Sequence, residues 1–314
     1  MTLPAFDTDT ILAGIRDWVQ IETPTYSASA VNTLMDKLSD AYDGTGATLE
    51  RIPGRDGCGD HVIARSPWGQ GEKGILVLSH LDTVHPLGFL ERLPFKVEGD
   101  KAYGPGIYDM KGGAYIALEA FRALARQRKN SPLSVTHLFV SDEEIGSPTS
   151  RAIIEAEAKK AKYVLVTEPA RDGGKVVTAR KGVARYVMTL KGRPAHAGSR
   201  HQDGRSAVRE LAHQILALEA LTDYAKGITV NVGVVSGGTR PNVIAEEAMA
   251  EIDVRVPTVA AAKTVLPKIV DRKPVDPDVR IAVTGELNRP PFDKTKGVAL
   301  LFAKAKALAT ELGI

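Results

Sequence analysis

Cysteine is almost absent: the 314-residue chain holds one, Cys58. A single thiol cannot close an internal disulfide, so a stapled secreted scaffold is excluded and a reducing compartment suits the chain. Long apolar runs are missing too. None approaches the roughly 18 residues of a membrane-spanning helix, so no membrane association is expected. Charge of one sign is also scarce. The 41 Lys and Arg nearly balance the 38 Asp and Glu, leaving a net charge of +3. No basic run forms a stripe for a phosphate backbone, and no nucleic-acid partner is expected. The N-terminal stretch carries Asp7, Asp9 and Asp17 in place of a basic region, which does not read as a secretory signal. A cytoplasmic location is the expectation.

What is present is ordinary globular composition, 43% hydrophobic and 25% charged, long enough for about two domains. There is no internal repeat and no low-complexity tract. Apolar spacing predicts helices over 8–21, with Asp7 or Thr8 as cap, over 29–42 and over 112–128. Short strands are expected at 47–52 and 61–65 and a hairpin over 93–104. His61 falls in a strand and His85 in a loop, so both read as structural. Three apolar runs, 74–79, 135–140 and 163–166, read as strands buried on both faces of a covered sheet. A helix around 149–160 separates the last two.

Each buried strand finishes on a residue able to bind metal. The first ends at His80, with Asp82 two residues on to hold the imidazole. The second leads into Asp142-Glu143-Glu144, where one carboxylate can hold a metal while the other moves a proton. The third ends at Glu168. Ligands of open α/β sheets bind beyond the carboxyl ends of the strands, so three such residues at three such ends outweigh the surface-loop reading of each alone. Asp109 lies in a glycine-rich turn before the helix at 112, where a cap and a ligand read equally well.

After Gly173-Gly174 the pattern changes to strand 183–190, helix 205–221, strand 228–235, strand 246–256, helix 258–270 and strand 279–284. This is a split βαββαβ unit inserted in the first domain. Its loops carry His196, Arg240 and Asn242 among Gly and Pro. Arg255 closes a strand, where a sheet-surface charge is commoner than an anion clamp. A final helix is expected over 296–311.

Five motifs in this order, His80-Leu81-Asp82, Gly104-Pro105-Gly106 through Asp109-Met110-Lys111-Gly112-Gly113, Asp142-Glu143-Glu144-Ile145-Gly146, Thr167-Glu168-Pro169, and Ala195-His196-Ala197-Gly198 followed by Pro241-Asn242, carry a resemblance to a known family. The chain resembles the M20 metallopeptidases, nearest the glutamate carboxypeptidase branch. The resemblance implies an α/β fold: a catalytic domain on a mixed, largely parallel sheet (1–177 and 287–314) interrupted by an α+β lid and dimerisation domain (178–286). It implies two zinc ions, with His80 and Glu168 on one, Asp109 bridging, Glu144 on the second, Glu143 as general base and acid, and Asp82 orienting His80. It also implies a cis Asp109–Met110 bond. His196 would reach the oxyanion in a partner subunit, and Asn242 and Arg255, with Arg240 and Lys175 as weaker candidates, would contact substrate oxygens. The implied reaction is amide hydrolysis in small N-acyl amino acids or peptides with a free carboxylate, releasing an amino acid such as glutamate. The alternatives are an acetylornithine deacetylase or succinyl-diaminopimelate desuccinylase type of N-acyl deacylase, and an inactive homologue that only binds or dimerises. The family draws a last zinc ligand, a histidine, from beyond a helix like 296–311. No histidine here follows His213, so a C-terminally shortened chain, a weakened second metal site and an uncovered sheet edge are expected.

Overall fold

The computed structural model describes residues 6–69, 73–127, 131–171 and 173–313. The chain divides into two compact units, 1–170 and 171–314. Every expected element in the described residues is present. The first unit comprises α1 (Thr8–Val19), α2 (Ala28–Asp40), β1 (Thr48–Ile52), β2 (His61–Arg65), β3 (Ile75–His80), β4 (Lys96–Glu98), β5 (Lys101–Tyr103), α3 (Gly112–Arg126), β6 (Val135–Val140), α4 (Arg151–Lys160) and β7 (Tyr163–Val166). The second comprises β8 (Gly182–Lys191), α5 (Ala207–Glu219), β9 (Thr229–Gly237), β10 (Glu247–Val256), α6 (Val259–Val270), β11 (Arg280–Arg289) and α7 (Lys296–Glu311).

In the first unit the strands lie in the order β1-β2-β6-β3-β7. β1–β2 and β2–β6 are antiparallel, and β6–β3 and β3–β7 are parallel. The sheet is therefore mixed, with parallel pairing confined to the side that ends in the metal-competent residues. Trp18, Val31, Leu34, Met35, Leu38, Leu118 and Phe121 bury one face of α1, α2 and α3 against it. The Asp7 side chain caps α1 by accepting from Asp9 N. β7 departs from its expected burial on both faces: it is an edge strand with one neighbour, β3, and Val164, Leu165 and Val166 are exposed along it.

In the second unit the order is β11-β8-β10-β9, all antiparallel, as the split βαββαβ pattern requires. Alternating burial along β8 and β10 puts Ala184, Tyr186, Met188, Ile252 and Val254 in one core with α5 and α6. β11 runs to Arg289, five residues beyond its expected end. Gly285 (φ +134°) lets the strand pass within van der Waals reach of the Arg185 carbonyl, and a bulge between Leu287 and Arg289 prolongs the pairing. Among the described residues, no helix is long and apolar enough to cross a membrane.

Candidate metal centre

Each ligand candidate is placed by the end of an element. β3 ends on His80, and the chain after β6 turns sharply through Glu143–Ile145 into Gly146. Glu168 follows β7 by two residues. Asp109 comes from the turn opened by Gly106 (φ +68°), and its bond to Met110 is cis, as the resemblance implies. Gly113, at the start of α3, lies so close to the Thr167 carbonyl that a Cβ there would sit 2.0 Å from the oxygen. Only glycine lets the Asp109 turn approach the strand end that carries Glu168.

The structure brings these groups together. His80 Nε2 is 3.0 Å from Asp109 Oδ1, 3.6 Å from Glu168 Oε1 and 4.0 Å from Glu143 Oε2. Ligand atoms of His80, Asp109 and Glu144 lie within 4.8 Å of one another, and so do those of His80, Glu143 and Glu168. Glu143 thus stands on the Glu168 side of the cluster and Glu144 on the Asp109 side. Among the described residues, both groups draw on the same imidazole.

The carboxylate of Asp82, fully buried, organises the floor. It accepts from Thr25 Oγ1 at 2.8 Å and from the backbone N–H of Glu143 and Glu144 at 3.2 Å each. His80 Nδ1 lies 3.0 Å from the Asp82 carbonyl and 3.3 Å from its carboxylate. Both neighbours are acceptors, so Nδ1 carries a proton, while Nε2 faces the carboxylates of Asp109, Glu168 and Glu143 and is hydrogen-bonded to the first. Positive charge is favoured at this point, as a second proton on the imidazole or as a bound cation. Burial alone would lower the His80 pKa, but hydrogen bonds to Asp109 and Asp82 and the nearby negative charge push it up to about 11. Burial, with Asp109, Asp82 and Glu143 close by, pushes Glu144 up to about 7 despite His80. One imidazole and several carboxylates at these separations fit a divalent metal with a coordination radius of about 2 Å.

Several supporting groups gave no sequence signal. Asp142 is not a ligand: it accepts from the backbone N–H and hydroxyl of both Thr149 and Ser150, tying the acidic turn to the start of α4. Buried Lys111 donates to the carbonyls of Ile21 (2.6 Å) and Trp18 (3.3 Å), and burial brings its pKa down to about 7. Only its place inside the Asp109-to-Gly113 motif could have marked it.

In the second unit, the loops holding His196 and Asn242 are zipped together. Ala197 N donates to the Asn242 carbonyl and Ile244 N to the Ala195 carbonyl. His196 Nδ1 accepts from Gly198 N (3.1 Å) and Ser199 N (3.2 Å), so neutral His196 carries its proton on Nε2. Arg240 opens the turn that closes with Val243 N on its carbonyl. Arg255 does not join them. It lies eight residues along β10 from Glu247, roughly 26 Å at strand rise, and grips Asp253 side-on at 2.7 and 3.0 Å. Lys175 forms a small backbone bridge with Arg171.

Comparison with known proteins agrees with this geometry. The profile of the peptidase dimerisation domain of M20 enzymes matches residues 178–272. That of peptidase family M28 matches 61–215, a range that includes His80, Asp109, Glu143, Glu144 and Glu168. The chain is 34% identical to carboxypeptidase G2 of Pseudomonas sp. (strain RS-16) over 309 residues, covering 96% of this chain and 74% of that protein. It is 27% identical to acetylornithine deacetylase of Myxococcus xanthus, covering 77% of this chain and 64% of that protein. The fold is similar to that of the aminopeptidase PepT from Bacillus cereus ATCC 10987, with a TM-score of 0.79 at 21% identity, covering 98% of this chain and 83% of that one. An acid-rich centre built around one tautomerically fixed histidine, together with a carboxypeptidase relative matched over almost the whole chain, shows that this metallohydrolase belongs to the M20 family of peptidases.

Proposed function

We propose that this chain hydrolyses the amide bond of a small N-acyl amino acid or peptide with a free carboxylate, releasing a C-terminal amino acid, with glutamate the first to test. The observation that carries it is the convergence of the Asp109, Glu143 and Glu168 carboxylates on His80 Nε2. Carboxypeptidase G2, matched over 96% of the chain, supports the carboxypeptidase direction. The acetylornithine deacetylase match favours a second reading, removal of an acyl group from an amino acid.

His80, Glu168, Asp109 and Glu144 would hold the zinc, His80 and Glu168 serving one ion, Glu144 the other and Asp109 both. A bound zinc supplies Lewis acidity toward the scissile carbonyl and makes water a nucleophile near neutral pH. Glu143, whose side chain is 45% exposed, takes the proton from the attacking water and passes it to the leaving amine. Asp82 keeps the His80 tautomer fixed. Because both ligand groups share His80, a second metal would have carboxylates alone among the described residues and would bind more weakly. His196 would offer its Nε2–H to the oxyanion developing in the active site of a partner subunit. Asn242 and Arg240 take the substrate carboxylate, and Arg255 contributes only by exchanging Asp253 for it. A reducing compartment such as the cytoplasm suits buried Cys58.

The dimerisation-domain match supports a homodimer formed through the second unit. β9 is an open edge with Val234 and Val235 exposed, and Val208 and Leu216 are exposed on α5, which packs on β9. Edge pairing between two copies would cover both.

The test is amino acid release by zinc-loaded protein from N-acyl glutamates, N-acyl ornithines and dipeptides, with Glu143→Gln as the blank. Release from the glutamate series first supports the carboxypeptidase reading, and release from N-acyl ornithines first supports the deacylase reading. No release above the blank from any series sinks both.

A further inference from the structure

Beneath the metal centre runs a ladder of polar side chains that the proposed chemistry does not use. Tyr42 Oη lies 2.9 Å from His137 Nδ1, and His137 Nε2 lies 3.0 Å from Ser79 Oγ. Ser79 Oγ is in turn 2.7 Å from Thr167 Oγ1. Tyr42, His137 and Ser79 are all buried, at 3%, 1% and 1% exposure. His137 stands on β6 and Ser79 on β3, and Thr167 immediately follows β7, so the ladder crosses three adjacent strands. Its last two rungs directly precede His80 and Glu168.

The direction of the bonds follows from satisfying each group. His137 is the one hydrogen-bond partner of Tyr42 Oη among the described residues, so the phenol donates to Nδ1. His137 is then the Nε2–H tautomer and donates to Ser79. Ser79 and Thr167 share the next hydrogen bond, which either hydroxyl can donate. Burial holds the His137 pKa down at about 3, so the imidazole stays neutral and the direction persists across the physiological range.

Stability does not explain such a ladder. Each net hydrogen bond contributes little, and apolar side chains of the same shape would serve a core about as well. The neighbours on these strands, Leu76, Leu78, Leu138 and Val140, are apolar. Directional bonds do something apolar packing does not: they fix the lateral offset of strand ends. Thr167 is also held through its backbone, with its N–H on the Leu78 carbonyl at 3.2 Å and its own carbonyl against Gly113.

We infer that Tyr42, His137, Ser79 and Thr167 form a positioning ladder that sets the separation of His80 and Glu168 and so tunes affinity for the metal those two residues share. This rests on the proposed role of His80 and Glu168 as ligands. The test compares Thr167→Val, which removes the hydroxyl and keeps the shape, with Thr167→Ser, which keeps the hydroxyl, and adds Ser79→Ala. Zinc dissociation constants are measured by competition with a chromophoric chelator, and the melting temperature of each metal-free protein is recorded. Outer-shell losses in metal sites are about 10–100-fold. T167V and S79A should weaken the tighter zinc by that much, T167S should stay within about threefold of wild type, and metal-free T167V should melt no lower than wild type. Wild-type zinc affinity in T167V, or a loss in T167S equal to that in T167V, overturns the ladder. His80→Ala separates the two failures: if it binds zinc like wild type, the ligand assignment itself falls.

Discussion

The metal centre and the paired loops of the second unit hold their functional side chains by opposite means. At the centre, carboxylates converge on one buried imidazole, and the supports below them, Asp82, Ser79 and His137, are almost completely buried. In the second unit His196 is exposed and is set by two backbone N–H groups. The first arrangement gathers several carboxylates around one imidazole and so favours added positive charge. The second needs nothing added. The centre should therefore respond to metal, and the loops to substrate.

The largest test separates adjacent residues within the centre. Glu143→Gln should lower kcat by about 10²–10⁴-fold, the size of a lost general acid–base group, while the zinc content stays at the wild-type value. Glu144→Gln should lose the weaker zinc, and added zinc should restore part of its activity. Elemental analysis beside kinetics checks both. If E143Q loses metal and E144Q keeps it, the two roles are exchanged.

His196→Ala comes next. Loss of one oxyanion donor costs about 10²–10³-fold in kcat, and here the metal content should not change. Unchanged turnover in H196A would leave the second unit without a catalytic donor and reduce the comparison to a site and a scaffold.

The ligand candidates were legible in the sequence because each follows an apolar strand or lies in a glycine-rich turn, and apolar runs mark such strand ends whether the strand is buried, as β6 is, or an exposed edge, as β7 is. The fold was legible for the same reason: α7 lies over 296–311 as its spacing predicts. The supports were not. Thr25 reaches Asp82 across 57 positions and Tyr42 reaches His137 across 95, and no local pattern encodes such a pairing. His137 reads as one polar residue in a strand until the sheet brings Ser79 beside it. Arg255 shows the converse. Its residue type suited anion binding, but Asp253, two positions back on the same face of β10, already occupies the guanidinium.

Acid should also distinguish the two units. His61 and His137 are buried and their pKa values are lowered mainly by that burial, His137 to about 3, whereas His196, His201 and His213 in the second unit are exposed. In the unfolded chain a histidine titrates near 6.5. Between about pH 6.5 and pH 3 the unfolded state therefore binds a proton that native His137 refuses, and stability falls as pH falls through that window. For His137 the full loss is on the order of 4 kcal/mol. Hydrogen exchange resolved by segment should show protection of β6 and β3 declining over this range before that of β8 and β10. Equal decline in both units would mean that the buried histidines do not govern acid sensitivity.

The smallest expected effect lies within the second unit. Arg255 must break a side-on pair with Asp253 before it can take a carboxylate, and the two bonds it would gain resemble the two it would lose. The pair is partly exposed, so its worth to stability is about 1 kcal/mol or less. Arg255→Ala should thus change KM by less than about threefold, an energy difference well under 1 kcal/mol. Arg240, in the turn beside Asn242, makes no ion pair among the described residues. Arg240→Ala should raise KM by about tenfold, the lower end for a hydrogen bond to a charged group, with kcat nearly unchanged. If R255A raises KM more than R240A does, substrate binding extends along β10, and the two paired loops are only one edge of the binding surface.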